Sequence, residues 1–158
     1  MKKGFTLIEL LVIMVIVTIL VTIALPKYKT AMEKGRALEG IANAASWSEA
    51  VNAYYVRNYN SYGCDSESCP AINYANSLKP ATTSVYFIIS KLYDGNDATI
   101  TITATRINSN GTSYGAKEYQ VHFVNQGGQV VDRFCTGYEP YCKALGATAV
   151  HDGGGWSL

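Results

Sequence analysis

Residues 1–25 read MKKGFTLIELLVIMVIVTILVTIAL, and their reading decides the fold. From Phe5 to Leu25 the run is apolar except for a few hydroxyls and one carboxylate, Glu9. As a helix it spans about 31 Å at 1.5 Å per residue, enough to cross a bilayer core. A charge inside such a segment is costly and points to a function. A cleaved secretory signal has a shorter apolar core, about 7–15 residues, and then a small-residue cut site, which Thr22 and Ala24 only mimic. A plain single-pass anchor explains the length but not Glu9. A third reading starts from the leader Met1-Lys2-Lys3-Gly4, which is too short to be a signal and closes on a glycine before Phe5. A cut there removes the positive end and keeps the whole apolar helix.

Composition narrows the remaining possibilities. The 158 residues suffice for one domain with an accessory element. The formal charge is +1, from 13 basic and 12 acidic residues, so direct nucleic-acid binding through a basic patch is not expected. Hydrophobic residues make up 48% and charged ones only 16%, an imbalance concentrated at the N-terminus. Downstream the chain is rich in Tyr, Ser, Thr, Asn and Gly, as in a loop-rich extracytoplasmic β domain. Loss of Lys2 and Lys3 with the leader would leave the chain near neutral, which does not oppose close packing of copies.

From Pro26 to about Tyr59 the pattern stays helical and becomes amphipathic. Leu38, Ile41, Ala42, Ala45 and Tyr55 recur near helical spacing, against Glu33, Lys34, Arg36, Glu39 and Glu49. Pro26 lacks a backbone donor and is expected to bend the helix. Gly35 and Gly40 each cost about 1 kcal/mol of helix propensity. Residues 60–80 are Ser, Asn and Pro rich and read as a connecting loop. Strand signals follow at 84–93, 98–107, 117–124 and 129–135, joined by the turns DGND, NSNGTSYG and NQGG. Ile100 and Ile102 should face one side, and Thr99, Thr101 and Thr103 the other. The expected fold is α+β: a long N-terminal helix packed on a four-stranded antiparallel sheet. The tail from about Thr136 is Gly-rich and read as irregular.

KGFTLIELL, the aliphatic stretch after it, and ALPKY resemble the N-terminal methylation signature of the type IV pilin and pseudopilin family. The resemblance covers about the first 30 residues. It implies the ladle-shaped pilin fold and cleavage by a membrane prepilin peptidase between Gly4 and Phe5, with N-methylation of Phe5. It places Glu9 fifth in the mature chain. The parts are then a leader (1–4), a transmembrane and filament-core helix (5–25), its amphipathic continuation (26–59) and an extracytoplasmic head (60–158). Implied partners are further copies in a helical homopolymer, the peptidase, the inner-membrane assembly machinery, and the membrane before assembly. No cofactor, metal or catalytic residue is implied. The physics agrees on Glu9: a cut after Gly4 creates a cationic amine, and a buried amine and a buried carboxylate each need a partner. Glu9 can meet the Phe5 amine of a neighbour and set helix register, or that of its own chain four residues back. Many relatives carry a glycine in mid-run where this chain has Thr18, so local unwinding between there and Pro26 on assembly is less secure here.

Cys64, Cys69, Cys135 and Cys142 all lie beyond the apolar run, where oxidation is expected. Of three pairings, Cys64–Cys69 with Cys135–Cys142 is preferred; the alternatives tie the connecting loop to the C-terminal region. Zinc is the weaker reading, because neither spacing is that of a zinc knuckle. The resemblance adds that a C-terminal disulfide-bounded loop is common in pilins and usually missing from major secretion pseudopilins. Gly111-Thr112-Ser113-Tyr114-Gly115 formally matches a nucleophile elbow, but it lies between strands and reads as a turn. Asn110-Gly111-Thr112 is a glycosylation sequon. Asp94, Asn96 and Asp97 fall short of a calcium-loop ligand series. His122 and His151 have no partner in the pattern. Tyr54, Tyr55, Tyr59 and Tyr62 cluster where the helix ends and read as packing residues.

Overall fold

The computed structural model describes residues 6–65, 68–78, 80, 82–95, 98–151 and 154–158. Gly4, Phe5 and the turn residues Asn96 and Asp97 lie outside this set. The first element is a single helix α1, Leu7–Arg57, 51 residues long, or about 76 Å at 1.5 Å per residue. It runs through Pro26 as one helix and is unbroken at Thr18, whose hydroxyl donates to the Met14 carbonyl at 2.7 Å. It ends where Tyr59 and Asn60 turn left-handed, φ 53° and 60°, and the Asn60 amide returns to the Tyr55 carbonyl at 3.0 Å. Left-handed residues past the last turn are a common way to stop a helix.

The head contains α2 (Pro70–Ser77), β1 (Phe87–Asp94), β2 (Thr99–Arg106), β3 (Tyr119–Gln126), β4 (Gln129–Gly137), α3 (Glu139–Ala144), β5 (Ala149–Val150) and β6 (Trp156–Ser157). All strand pairs are antiparallel, in the order β1-β2-β3-β4-β6-β5. The α+β class is as expected, but the sheet has six strands rather than four. The extra pair arises because the tail folds back onto β4, setting Trp156 opposite Cys135 and Ser157 opposite Phe134. Gly155 permits this approach: at φ +101°, a Cβ there would stand 2.5 Å from the Cys135 carbonyl oxygen.

Two further expectations are corrected. Residues 60–80 are not all loop, since Pro70 opens α2 at a position where its missing N–H costs nothing. Ala71 and Ala75, one turn apart, bury against the core. The tail likewise holds α3, with Pro140 in its first turn.

β2 alternates as expected, with Ile100, Ile102 and Ala104 buried and the threonines between them half-exposed. Tyr119, Val121 and Phe123 of β3 continue that inner face. Gly127 and Gly128, φ 61° and 80°, form the two-residue turn between β3 and β4, with the positive φ at both centres that such hairpins need. Against this face α1 buries Glu33, Ala37, Gly40, Ala44, Trp47, Ser48 and Val51. That stripe differs from the expected one: Leu38 is 58% exposed and Glu33 only 3%. At Ala37, Gly40 and Ala44 the buried stripe is made of small residues, which let the helix axis approach the sheet there.

Gly40 marks the closest approach. A Cβ there would meet the buried Phe87 ring at 2.6–2.9 Å, whereas one at Gly35 would meet nothing within 4 Å. Overpacking costs about 1–3 kcal/mol, against about 1 kcal/mol of propensity gained on replacing glycine by alanine. Gly40→Ala should therefore lower stability by about 1 kcal/mol, and Gly35→Ala should raise it by up to about 1 kcal/mol. Denaturant unfolding of the detergent-solubilised chain checks both.

Candidate functional site: the exposed half-helix and its anchor

The first third of α1 touches nothing else. From Leu7 to Leu25 every side chain is exposed, the large apolar ones between 44% (Val21) and 83% (Leu7). This is the one helix among the described residues long and apolar enough to cross a membrane. Each valine, leucine or isoleucine removed from water is worth about 1.5–3 kcal/mol, so the segment requires an apolar environment. No single face of it is polar, so lipid on all sides or a bundle of like helices both satisfy it.

At its tip Thr6 and Glu9 form a capping box. The Thr6 amide and hydroxyl both donate to Glu9 Oε2, at 2.9 and 2.8 Å, and the Glu9 amide donates to Thr6 Oγ1 at 3.4 Å. Such reciprocal bonds satisfy two donors that a helix start otherwise leaves open. Sequence reading missed this, although Thr-x-x-Glu is a recognisable signature. The carboxylate thus has a role within the chain, and both bonds use the same oxygen.

The opposite half of α1 is clamped to the head by a buried ion pair that sequence reading also missed. Arg106, on β2, donates through Nε to Glu33 Oε1 and through Nη2 to Oε2, the latter at 3.1 Å. Tyr119 Oη donates to Glu33 Oε1 at 3.2 Å, and Arg36 lies 3.4 Å from Oε2. The Arg106 guanidinium also stacks over Tyr114 and Tyr86, 4.1 and 4.9 Å from the ring centres. Burial pushes the Glu33 carboxyl up, but hydrogen bonds and charge from Arg106, helped by Tyr119 and Arg36, hold it below its ordinary 4.5. Burial and the facing Glu33 carboxylate raise the Tyr119 phenol far above its usual value. Both groups therefore keep one protonation state at physiological pH.

A second polar link joins α1 to the β3–β4 hairpin. Buried Asn125 donates to the Ile100 carbonyl at 2.9 Å and to Ser48 Oγ at 3.3 Å, and accepts from Asn52 at 2.9 Å. Tyr62 Oη donates to Asn52 at 3.0 Å and accepts from the Gly128 amide at 3.2 Å. Buried polar groups with every partner in place favour one packing over its alternatives.

The structure joins Cys64 to Cys69 and Cys135 to Cys142. The first bond closes the segment between α1 and α2, and the second ties β4 to α3. Ser113 donates to Glu118 Oε2 at 2.6 Å and sits in a bridge opposite Ile107. His122 lies between Thr103 and Thr136 hydroxyls at 3.0 and 2.8 Å, and His151 pairs with Asp132. Phe134 stacks between the two imidazoles, 4.5 and 4.2 Å from their centres. His151 therefore fastens the tail to β4, while His122 links β3 to the strands on either side, roles the sequence pattern did not reveal. No group of three or more metal-ligating side chains occurs among the described residues.

The comparisons fit this architecture. The model for the prokaryotic N-terminal methylation motif matches residues 1–25. Fimbrial protein EcpC of Eikenella corrodens is 32% identical over 116 residues, 73% of this chain and 69% of that protein. The type IV major pilin protein PilE1 of Neisseria gonorrhoeae is 40% identical over 58 residues, 37% of this chain. A fimbrial protein of Neisseria meningitidis serogroup B matches to the same extent. The neisserial matches span about a third of those relatives' length, 35% and 34%. No solved structure matches the chain. An α+β head borne on an exposed apolar helix, with these relatives, defines the class, and the chain belongs to the type IV pilin and pseudopilin family.

Proposed function

We propose that this chain is a structural subunit of a type IV pilus-like filament and not an enzyme. A prepilin peptidase cuts between Gly4 and Phe5 and methylates the new Phe5 amine. Before assembly the segment 5–25 spans the inner membrane, and the head, 60–158, lies outside it. The inner-membrane machinery then draws the helix into a bundle with other copies, and the filament reaches the cell surface. A head-to-tail contact that does not close on itself builds an open helix of subunits. Within that bundle Glu9 pairs with the Phe5 amine of a neighbour, and Pro26 is where the helix bends between core and head.

One observation carries this reading: α1 is a single helix whose first part is exposed throughout and whose second part buries a stripe, from Glu33 to Val51, against the head. The Cys135–Cys142 bond favours a pilin over a secretion pseudopilin. N-terminal mass spectrometry of the protein from cells tests processing. N-methyl-Phe5 is expected; intact Met1 would point to a single-pass anchored binding domain, and Leu25 to ordinary secretion. Long surface fibres containing the chain are expected, and their absence would favour a pseudopilin of a type II secretion system.

A further inference from the structure

Where α1 ends, the head carries a cleft of about 310 Å³, lined by none of the residues of the apolar segment or of the Glu33–Arg106 anchor. Its lining includes Tyr55 and Tyr93, with Asn60, Ser61 and Gln126, and Tyr62, 4% exposed, lies behind them. Tyr55 and Tyr62 meet at 4.7 Å between centres and 51° between planes, so they form a corner instead of a flat stack. No charged side chain lines it among the described residues. Its volume is at the lower end of the range for small-molecule sites, about 300–1,000 Å³.

The cleft is built in advance. Tyr59 and Asn60 are held left-handed at φ 53° and 60°, conformations that non-glycine residues adopt at some cost. The Asn60 amide bonds back to Tyr55, and the Ala71 amide donates to the Tyr62 carbonyl at 3.2 Å. Tyr62 Oη fixes the Gly128 amide, and the Cys64–Cys69 bond closes the adjoining loop. A rigid cleft loses less entropy on binding than one that must order itself. Tyr59, the residue before Asn60, is 98% exposed, so a further aromatic ring stands in solvent beside the cleft.

We propose that this cleft binds a neutral saccharide of one or two rings. Ring faces accept the apolar C–H face of a pyranose, while amides and hydroxyls between them pair with its hydroxyl groups. The described lining residues are uncharged, and they offer hydrogen bonding and apolar contact as the sources of affinity. The cleft adjoins the C-terminal end of α1, with Tyr55 30 residues beyond Leu25, the end of the apolar segment, and so about 45 Å along the helix from it. A bound sugar would therefore not compete with helix packing.

The test titrates lactose, maltose and methyl mannoside into the full chain, solubilised in a detergent without a sugar headgroup. Saturation-transfer NMR reads binding. Saturable binding of at least one neutral sugar in the millimolar range is expected, with the strongest transfer to ring C–H protons. Tyr93→Ala and Gln126→Ala should each weaken it about fivefold, the loss of one ring or amide contact. Gln126 is exposed, so its substitution leaves the fold intact even if Tyr93→Ala unfolds the head. No saturable binding by any of the three sugars, or binding that Gln126→Ala leaves unchanged, overturns the proposal. Neither result bears on filament assembly, which is scored separately.

Discussion

A chain carrying Glu9→Val should be inserted and cleaved after Gly4 but should form no filaments. The proposed cut would leave a Phe5 ammonium among apolar helices, where it would need a carboxylate. The structure gives Glu9 a second task, since its carboxylate already closes the capping box with Thr6. Two substitutions separate these tasks. Glutamine can still accept the Thr6 bonds and is a recognised capping-box residue, yet it carries no charge. If pairing with the Phe5 amine drives assembly, Glu9→Gln should fail nearly as badly as Glu9→Val. Normal filaments from Glu9→Gln with none from Glu9→Val would assign Glu9 to capping alone. Normal filaments from both would remove the residue from assembly. Counting fibres by electron microscopy, with N-terminal mass spectrometry on the same cells, makes the measurement.

Arg106→Met should destabilise the chain by about 3–5 kcal/mol, because it leaves the Glu33 carboxylate buried without its main partner. Glu33→Leu alone should do similar damage by stranding the guanidinium beneath Tyr86 and Tyr114. The double variant should lose much less than the sum, since two buried charges leave together. Denaturant melts of the four chains in detergent give the coupling directly. A sum without coupling would mean that the pair is not the clamp. Acid tests the same contact. The Glu33 carboxyl is held below 4.5 in the folded state, so the unfolded chain takes up its proton first as pH falls. The contribution is fully present above the ordinary value and is lost as pH drops through the lower folded value. Stability of the parent chain should therefore fall in acid, and that of the double variant should fall less.

Much of the fold was legible because it rests on local periodicity. The apolar run, the helical pattern after it, and the alternation in TITITATR each follow from chain geometry that neighbouring residues reveal. The turn at Gly127-Gly128 was equally plain, since only glycine takes two positive φ values without cost. Residues 60–80 are Ser, Asn and Pro rich and so suggest a loop throughout. Pro70 starts a helix that only burial of Ala71 and Ala75 makes stable. β5 and β6 have two residues each, too few to show any period, and they exist because Gly155 lets the tail reach β4.

By itself, then, the sequence determined an apolar helix with one carboxylate at its tip, a head of alternating strands, and four cysteines beyond the apolar segment. Those features are written in nearest neighbours along the chain. Only the tertiary structure decided which face of α1 meets the sheet. Spacing put Glu33 on the polar side, but Arg106 stands 73 residues away, and no periodicity links residues that far apart. The buried charge is tolerable because its partner arrives with the fold, and the close approach at Gly40 exists because the Phe87 ring lies opposite. The exposed half-helix was legible because it packs on nothing in its own chain, whereas its anchor depends on contacts between distant segments.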